Sequence, residues 1–247
     1  MKNSVLYLAV GMPRAGSGWH YNLMHDLVVA GGGSDSREIR QRFLLGAVLT
    51  EINLNIRSLS PTRLALAQAP ILLGNSYTIK THSMPTKAAK RLLEEGKMRA
   101  SYIYRDPRAA LLSALEYGTR ARKADRHNAF SQLESFEDGL AFMLGYLKIW
   151  KNWMDVEEVH HLRYEDLQSN FEKEAGQVAE FLQLDVEKSA VSDVISQHHP
   201  KQASSDRKGQ HFQFGEAERF RKVFSKAEIK QANAAFIDYL ELMGYSA

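Results

Sequence analysis

In Gly11-Met12-Pro13-Arg14-Ala15-Gly16-Ser17-Gly18-Trp19, residue type and spacing speak most directly of chemistry. Its small residues let the backbone curl, and helical periodicity follows, so free N–H groups at a helix start can surround an oxyanion. The spacing from Gly11 to Gly16 fits the nucleotide-triphosphatase loop G-x-x-x-x-G-K-[ST], but Ser17 stands where its lysine belongs and Gly18 where its magnesium-binding hydroxyl belongs. These residues support a phosphate cradle with Arg14 as its cation, and they disfavour a metal-dependent kinase. A glycine-rich turn without a ligand is the alternative.

Three further groups have the same character. Lys80-Thr81-His82-Ser83 sets a fixed cation beside a side chain able to take a proton near neutral pH. Arg105-Asp106-Pro107-Arg108 precedes a helical stretch in which Ser113 falls about two turns in, within reach of a phosphate shared with Arg105. Tyr164-Glu165-Asp166 offers a tyrosine for a nucleobase and two acids to cap or orient. Each has a plain reading: a surface lysine, a satisfied histidine, a helix-capping aspartate. Four such groups in one chain, without a metal-ligand cluster, point to a nucleotide-phosphate site.

The elements that must position them follow from periodicity. Residues 5–10, 77–79, 100–104 and 159–164 read as buried strands, and each chemical group stands at the carboxyl end of one. Residues 17–30, 38–54, 86–95, 107–119, 136–153, 171–182 and 226–243 have helical spacing, and the polar stretch 197–209 reads as a loop. Alternation of this kind predicts a single α/β domain over residues 1–247, of the P-loop type, with a central parallel β-sheet flanked by helices on both faces. In such sheets ligands bind beyond the carboxyl ends of the strands.

Composition narrows the function classes. At 247 residues the chain suits one domain, and 44% hydrophobic with 25% charged residues is globular. A net charge of +3 is too even to hold nucleic acid by bulk charge. The absence of cysteine excludes disulfides, thiolate nucleophiles and zinc–cysteine sites, and no apolar run reaches the length of a spanning helix. A cytoplasmic protein that neither binds nucleic acid nor inserts stably in a membrane is expected; oligomeric state is not legible.

Taken together and in order, the motifs resemble those of sulfotransferases that use 3'-phosphoadenosine 5'-phosphosulfate (PAPS). Residues 13–19 resemble the family's P-K-S-G-T-T-W loop, Lys80-Thr81-His82 its K-T-H, and residues 105–113 its R-[DN]-x(6)-S element. Residues 136–153, Tyr164-Glu165-Asp166-Leu167 and Arg207-Lys208-Gly209 resemble later landmarks. The resemblance implies Arg14 at the transferring sulfuryl group and Ala15, Gly16, Ser17 and Gly18 around the 5'-phosphate. It implies Trp19 and Tyr164 near the adenine, His82 as general base, and Lys80 as its neighbouring cation. Arg105 and Ser113 would hold the 3'-phosphate, joined by Arg207, Lys208 and Gly209 in a nucleotide loop over about 197–215. Arg replaces the family's Lys at 14, and Gly18 lacks a hydroxyl.

PAPS is then the co-substrate and adenosine 3',5'-bisphosphate (PAP) the product, with no metal. A small-molecule acceptor is implied, a phenol, alcohol, sugar or amine. Residues 38–68 and 118–142 are expected to form its pocket, with Phe43, Leu44, Tyr117, Phe130 and Phe142 available. The rival readings are an ATP-dependent small-molecule kinase with an eroded loop and a nucleotide-binding module without catalysis.

Overall fold

Four strands form one parallel sheet in the order β2-β1-β3-β4: β1 (Leu6–Gly11), β2 (Tyr77–Thr81), β3 (Met98–Tyr104) and β4 (Val159–Arg163). The computed structural model describes residues 4–200 and 218–246. All of β1 is buried, as its unbroken apolar run requires of a strand paired on both edges: Leu6 is in register with Tyr77 on one side and Met98 on the other. Successive side chains point to opposite faces. Tyr7 reaches one face, where its hydroxyl donates to the Leu182 carbonyl; Tyr77, in register with Leu6, donates to the Ala67 carbonyl on the other.

Helices cover both faces. On the Tyr7 side lie α1 (Ser17–Ala30), α8 (Phe171–Phe181) and α9 (Ser189–His198), which pack on one another. On the other, α3 (Pro61–Leu72) packs on β1, α4 (Lys87–Glu94) on β3 and α6 (Phe136–Met154) on β4. Against α6 lie α5 (Pro107–Lys123) and α11 (Lys226–Leu240), while α10 (Phe220–Val223) touches α5. The parallel sheet with helices on both faces is the architecture expected from the alternation of patterns.

The structure overturns part of the local reading. The helix expected over 38–54 is only α2 (Ser36–Arg42), capped by the Asp35 carboxylate; a single 3₁₀ turn follows at Leu45–Ala47. Leu44, Asn53 and Leu54 take positive φ, which a continuing helix forbids. The chain is held instead by Arg40 Nε donating to the Leu49 carbonyl and by pairing of Leu49 with Ile56. Helix α3 was not expected there; Ser60 caps it and Pro61 opens it. Tyr164, read as the end of a strand, begins the short helix α7 (Tyr164–Ser169). Of the loop expected from 197, the first two residues complete α9, and most of the remainder lies outside the described residues.

Candidate active site

At the carboxyl end of β1 the chain turns through residues 12–16 into α1, with Arg14 at φ 64° and Gly16 at φ 79°. Gly16 is the N-cap residue, and no side chain caps the helix, so its first-turn N–H groups lack a side-chain acceptor. The two glycines are sterically required. A Cβ on Gly11 would stand 2.8 Å from Ile103 and from Ser17, and one on Gly16 would stand 2.7 Å from the Tyr164 ring. Arg14 holds a left-handed backbone without being glycine, at a cost of roughly 1 to 3 kcal/mol.

The Arg14 side chain is firmly placed. Arg14 Nε donates to Ser113 Oγ at 3.1 Å, and its guanidinium lies 4.6 Å from the Tyr117 ring centroid and 5.9 Å from that of Phe130. Burial, opposed in part by Tyr117, pushes Arg14 below the ordinary arginine value, with Arg120 and Arg105 adding repulsion. Sequence reading assigned Arg14 to the sulfuryl group and Ser113 to the 3'-phosphate; the structure joins the two residues directly.

Lys80 stands at the neighbouring edge, on β2, and His82 follows the strand's last residue. His82 Nδ1 donates to the Gly11 carbonyl at 2.5 Å, the tautomer that leaves the Nε2 lone pair free to accept a proton. Burial, then the Lys80 charge, push His82 down to about 3, while the Gly11 hydrogen bond opposes them. Lys80 is itself buried and pushed down to about 8, first by desolvation and then by Arg14. Its neighbours beneath α1 are polar too: Ser101 Oγ links His20 Nε2 at 2.9 Å and His160 Nδ1 at 3.1 Å.

An aromatic wall connects the two cationic regions. Tyr117 meets Phe130 at 5.1 Å between centroids, Phe130 meets Phe142 at 5.5 Å, Phe142 meets Tyr146 at 4.9 Å, and Tyr146 stands edge-on to His82 at 6.5 Å. All four side chains are partly buried. Tyr146 was not singled out from the sequence, although its i, i+4 spacing from Phe142 on a helix was a usable signal. Phe43 and Leu44 do not join this wall: Phe43 lies beside Arg42, and Leu44 is 86% exposed.

On the far side of the loop, the Arg105 guanidinium lies 4.5 Å from the Tyr164 ring centroid, and its Nε is 4.0 Å from Glu165 Oε1. Glu165 also accepts from the Asp106 N–H at 3.2 Å and from the Tyr245 hydroxyl at 2.7 Å. It is an orienting acid, one of the two roles its sequence position allowed. Asp106 caps α5 and binds Arg108, so the capping reading of that residue also holds. Trp19 is 2% exposed, stacked on Phe171 at 5.4 Å with its Nε1 donating to the His198 carbonyl, so it belongs to the packing of α1 against α8 and α9. Arg207, Lys208 and Gly209 lie outside the described residues.

With this geometry in place the comparisons with known proteins are specific. A family model described as "Sulfotransferase domain" matches residues 7–242. The chain belongs to the sulfotransferase domain family. No curated protein matches it. Among solved structures, a mouse sulfotransferase complexed with PAP is similar at 14% identity and a TM-score of 0.58, over 98% of this chain and 86% of that one. Retinol dehydratase in complex with androsterone and inactive cofactor PAP is similar at 16% identity and a TM-score of 0.61, over 97% and 81%. The sulfotransferase domain from the curacin biosynthetic pathway is similar at 13% identity and a TM-score of 0.50, over 98% of each chain. At these identities the likeness is one of fold, and sulfuryl transfer is the activity of the family to which the chain belongs. Among the described residues no cluster of three or more His, Asp or Glu side chains could hold a metal ion, and no helix is long and apolar enough to cross a membrane.

Proposed function

We propose that the protein transfers the sulfuryl group of PAPS to a hydroxyl or amine of a small acceptor, with His82 as general base. The observation that carries this reading is the hydrogen bond from His82 Nδ1 to the carbonyl of Gly11. It ties the base to the first residue of the anion cradle, so both act on one reacting centre. The residues suit the donor: α1 begins without a side-chain cap, and Lys80 is a buried cation whose charge is opposed by another cation, Arg14. An anionic ligand relieves both.

The acceptor's proton passes to His82 Nε2 as its oxygen or nitrogen bonds to sulfur and the bond from sulfur to the leaving phosphate oxygen breaks. Arg14, Lys80 and the N–H groups of residues 16–18 stabilise the charge that gathers on that oxygen. A base pushed down to about 3 is weak in the free protein. Donor charge beside Lys80 offsets the lysine's repulsion and raises His82 toward a useful range. Arg105, held by Glu165 and Tyr164, and Ser113 are assigned to the 3'-phosphate, together with Arg207, Lys208 and Gly209. A chain without cysteine suits the reducing cytoplasm as its place of action.

Melting temperature in the presence of nucleotides tests the donor assignment. PAP should raise it without magnesium, while ATP and AMP at equal concentration do little. Equal stabilisation by magnesium ATP and by PAP would give the site to a kinase. Release of PAP from PAPS on addition of acceptors, followed by mass spectrometry, tests catalysis.

A further inference from the structure

The irregular chain between α2 and α3, with the arginines of both helices, lines a half-open pocket of about 280 Å³ whose walls include Arg40, Arg57 and Arg63, with Gly46 and Thr50 between them. Arg40 commits its Nε to the Leu49 carbonyl at 2.9 Å, and Arg63 commits one Nη to the Val48 carbonyl at 3.4 Å. Carbonyl partners leave their charge unneutralised, and among the described residues no carboxylate forms an ion pair with any of the three. Three like charges lining one half-open pocket, the solvent-exposed Arg57 among them, make it a favourable place for an anion.

The chain that lines this pocket runs alongside the strand leading to the candidate base. Residues 54–57 run beside the end of β2: Lys80 N–H donates to the Leu54 carbonyl, Ile56 N–H to the Lys80 carbonyl, and Thr81 Oγ1 to the Ile56 carbonyl. Ser83 Oγ donates to the carbonyl of Arg57 itself at 2.6 Å, so Arg57 is pinned to the residue that follows His82. Neither the loop of residues 12–16 nor Arg105 borders this cavity.

We infer that this cavity binds an anionic group, a carboxylate or a sulfate or phosphate ester, carried by the acceptor whose hydroxyl or amine faces His82. The acceptor is then an anionic small molecule rather than a neutral phenol or alcohol. Delivery to His82 rests on the sulfotransferase reading; anion binding by the three arginines does not.

Calorimetric titration with glucose, glucuronate and glucose 6-sulfate, with and without saturating PAP, separates the two. At least one of the anionic sugars should bind the wild-type protein about tenfold or more tightly than glucose, the equivalent of one charge-assisted hydrogen bond. That preference should fall to about twofold or less in Arg57→Gln/Arg63→Gln, with Arg57→Lys retaining most of it. It should persist in Arg14→Ala, which removes a cation from the other site. Equal binding of the three sugars, no binding of any, survival of the preference in the double variant, or its loss in Arg14→Ala would overturn the inference. PAP affinity should be the same in the double variant and the wild type. Failure of PAP to bind the wild type would sink the donor assignment while leaving the arginine dependence of the anionic sugars to stand or fall by itself.

Discussion

Residues 12–16 and residues 43–60 lie on opposite flanks of His82, and they are held in different ways. The first segment is a short turn whose constraints come from the regular elements around it: Gly11 against Ile103 of β3, Gly16 against Tyr164 at the start of α7, Arg14 on Ser113 of α5. The second is a longer irregular path with positive φ at Leu44, Asn53 and Leu54, pinned by side chains to its own carbonyls and by the edge of β2. A site made of element ends has little freedom to change without losing the fold. A site made of irregular chain can be re-lined at small cost to the sheet, and a donor shared by a family and an acceptor particular to one protein ask for that division.

The largest effect that would break this contrast is at the base. His82→Ala should lower kcat by roughly 10² to 10⁴ while leaving PAP affinity, read by calorimetry, nearly unchanged; near-normal turnover would remove His82 from the mechanism. Next come two glycines, one from each flank. Gly16→Ala combines a positive φ with a collision against Tyr164 and should destabilise by roughly 2 to 4 kcal/mol in denaturant unfolding, with loss of PAP binding. Gly46→Ala meets only the Arg40 Nη2 at 3.4 Å and should stay within about 0.5 kcal/mol of wild type. Comparable losses in both variants would mean that the flanks are equally constrained.

Protonation sharpens the comparison further. His20 and His82 are pushed down to about 3 and His161 to about 4, mainly by burial, from an ordinary value near 6.5. The unfolded chain therefore binds these protons first; stability is complete above about pH 6.5 and is lost as pH falls toward about 3. The melting temperature should decline across that window, and His82→Gln should shallow the decline. Lys80, at about 8, should impose an alkaline limb near pH 8 on kcat/KM for PAPS, because the free protein loses the charge there. Lys80→Arg should move that limb upward. The smallest effect is expected at Leu44, 86% exposed at φ 52°: Leu44→Gly should be neutral or should stabilise by up to about 1 kcal/mol, measured by chemical unfolding.

Legibility from the sequence divides along the same line. The boundaries of α1 follow from Gly16 and from the glycines after Ala30, and His82 announces itself by standing after a strand; both are local signals that the fold has no reason to override. Between 38 and 54, Leu45, Val48 and Leu49 are buried at spacings that imitate a helix, yet only a single 3₁₀ turn forms there. Here tertiary contact, with Arg40 and Thr50 bonding to the backbone, defeated periodicity. Ser60 followed by Pro61, a cap and a first-turn proline, is a local signal for the start of α3. The role of Glu165 needed the fold, since its partner Tyr245 lies 80 positions away. The arginines at 40, 57 and 63 have no common periodicity; only the folded chain gathers them.

The outer flank of the helix that carries the cradle is closed over by residues far along the chain. Trp19 is capped by the carbonyl of His198, and Asp26, two turns further on, holds the imidazole of the same His198, over sequence separations of 179 and 172 residues. A chain still emerging from the ribosome owns the glycine turn almost at once, but the outer flank of α1 has no cover until α9 arrives. A chain stopped short of residue 198 would leave the turn of residues 12–16 mounted on a helix whose outer flank is unsealed.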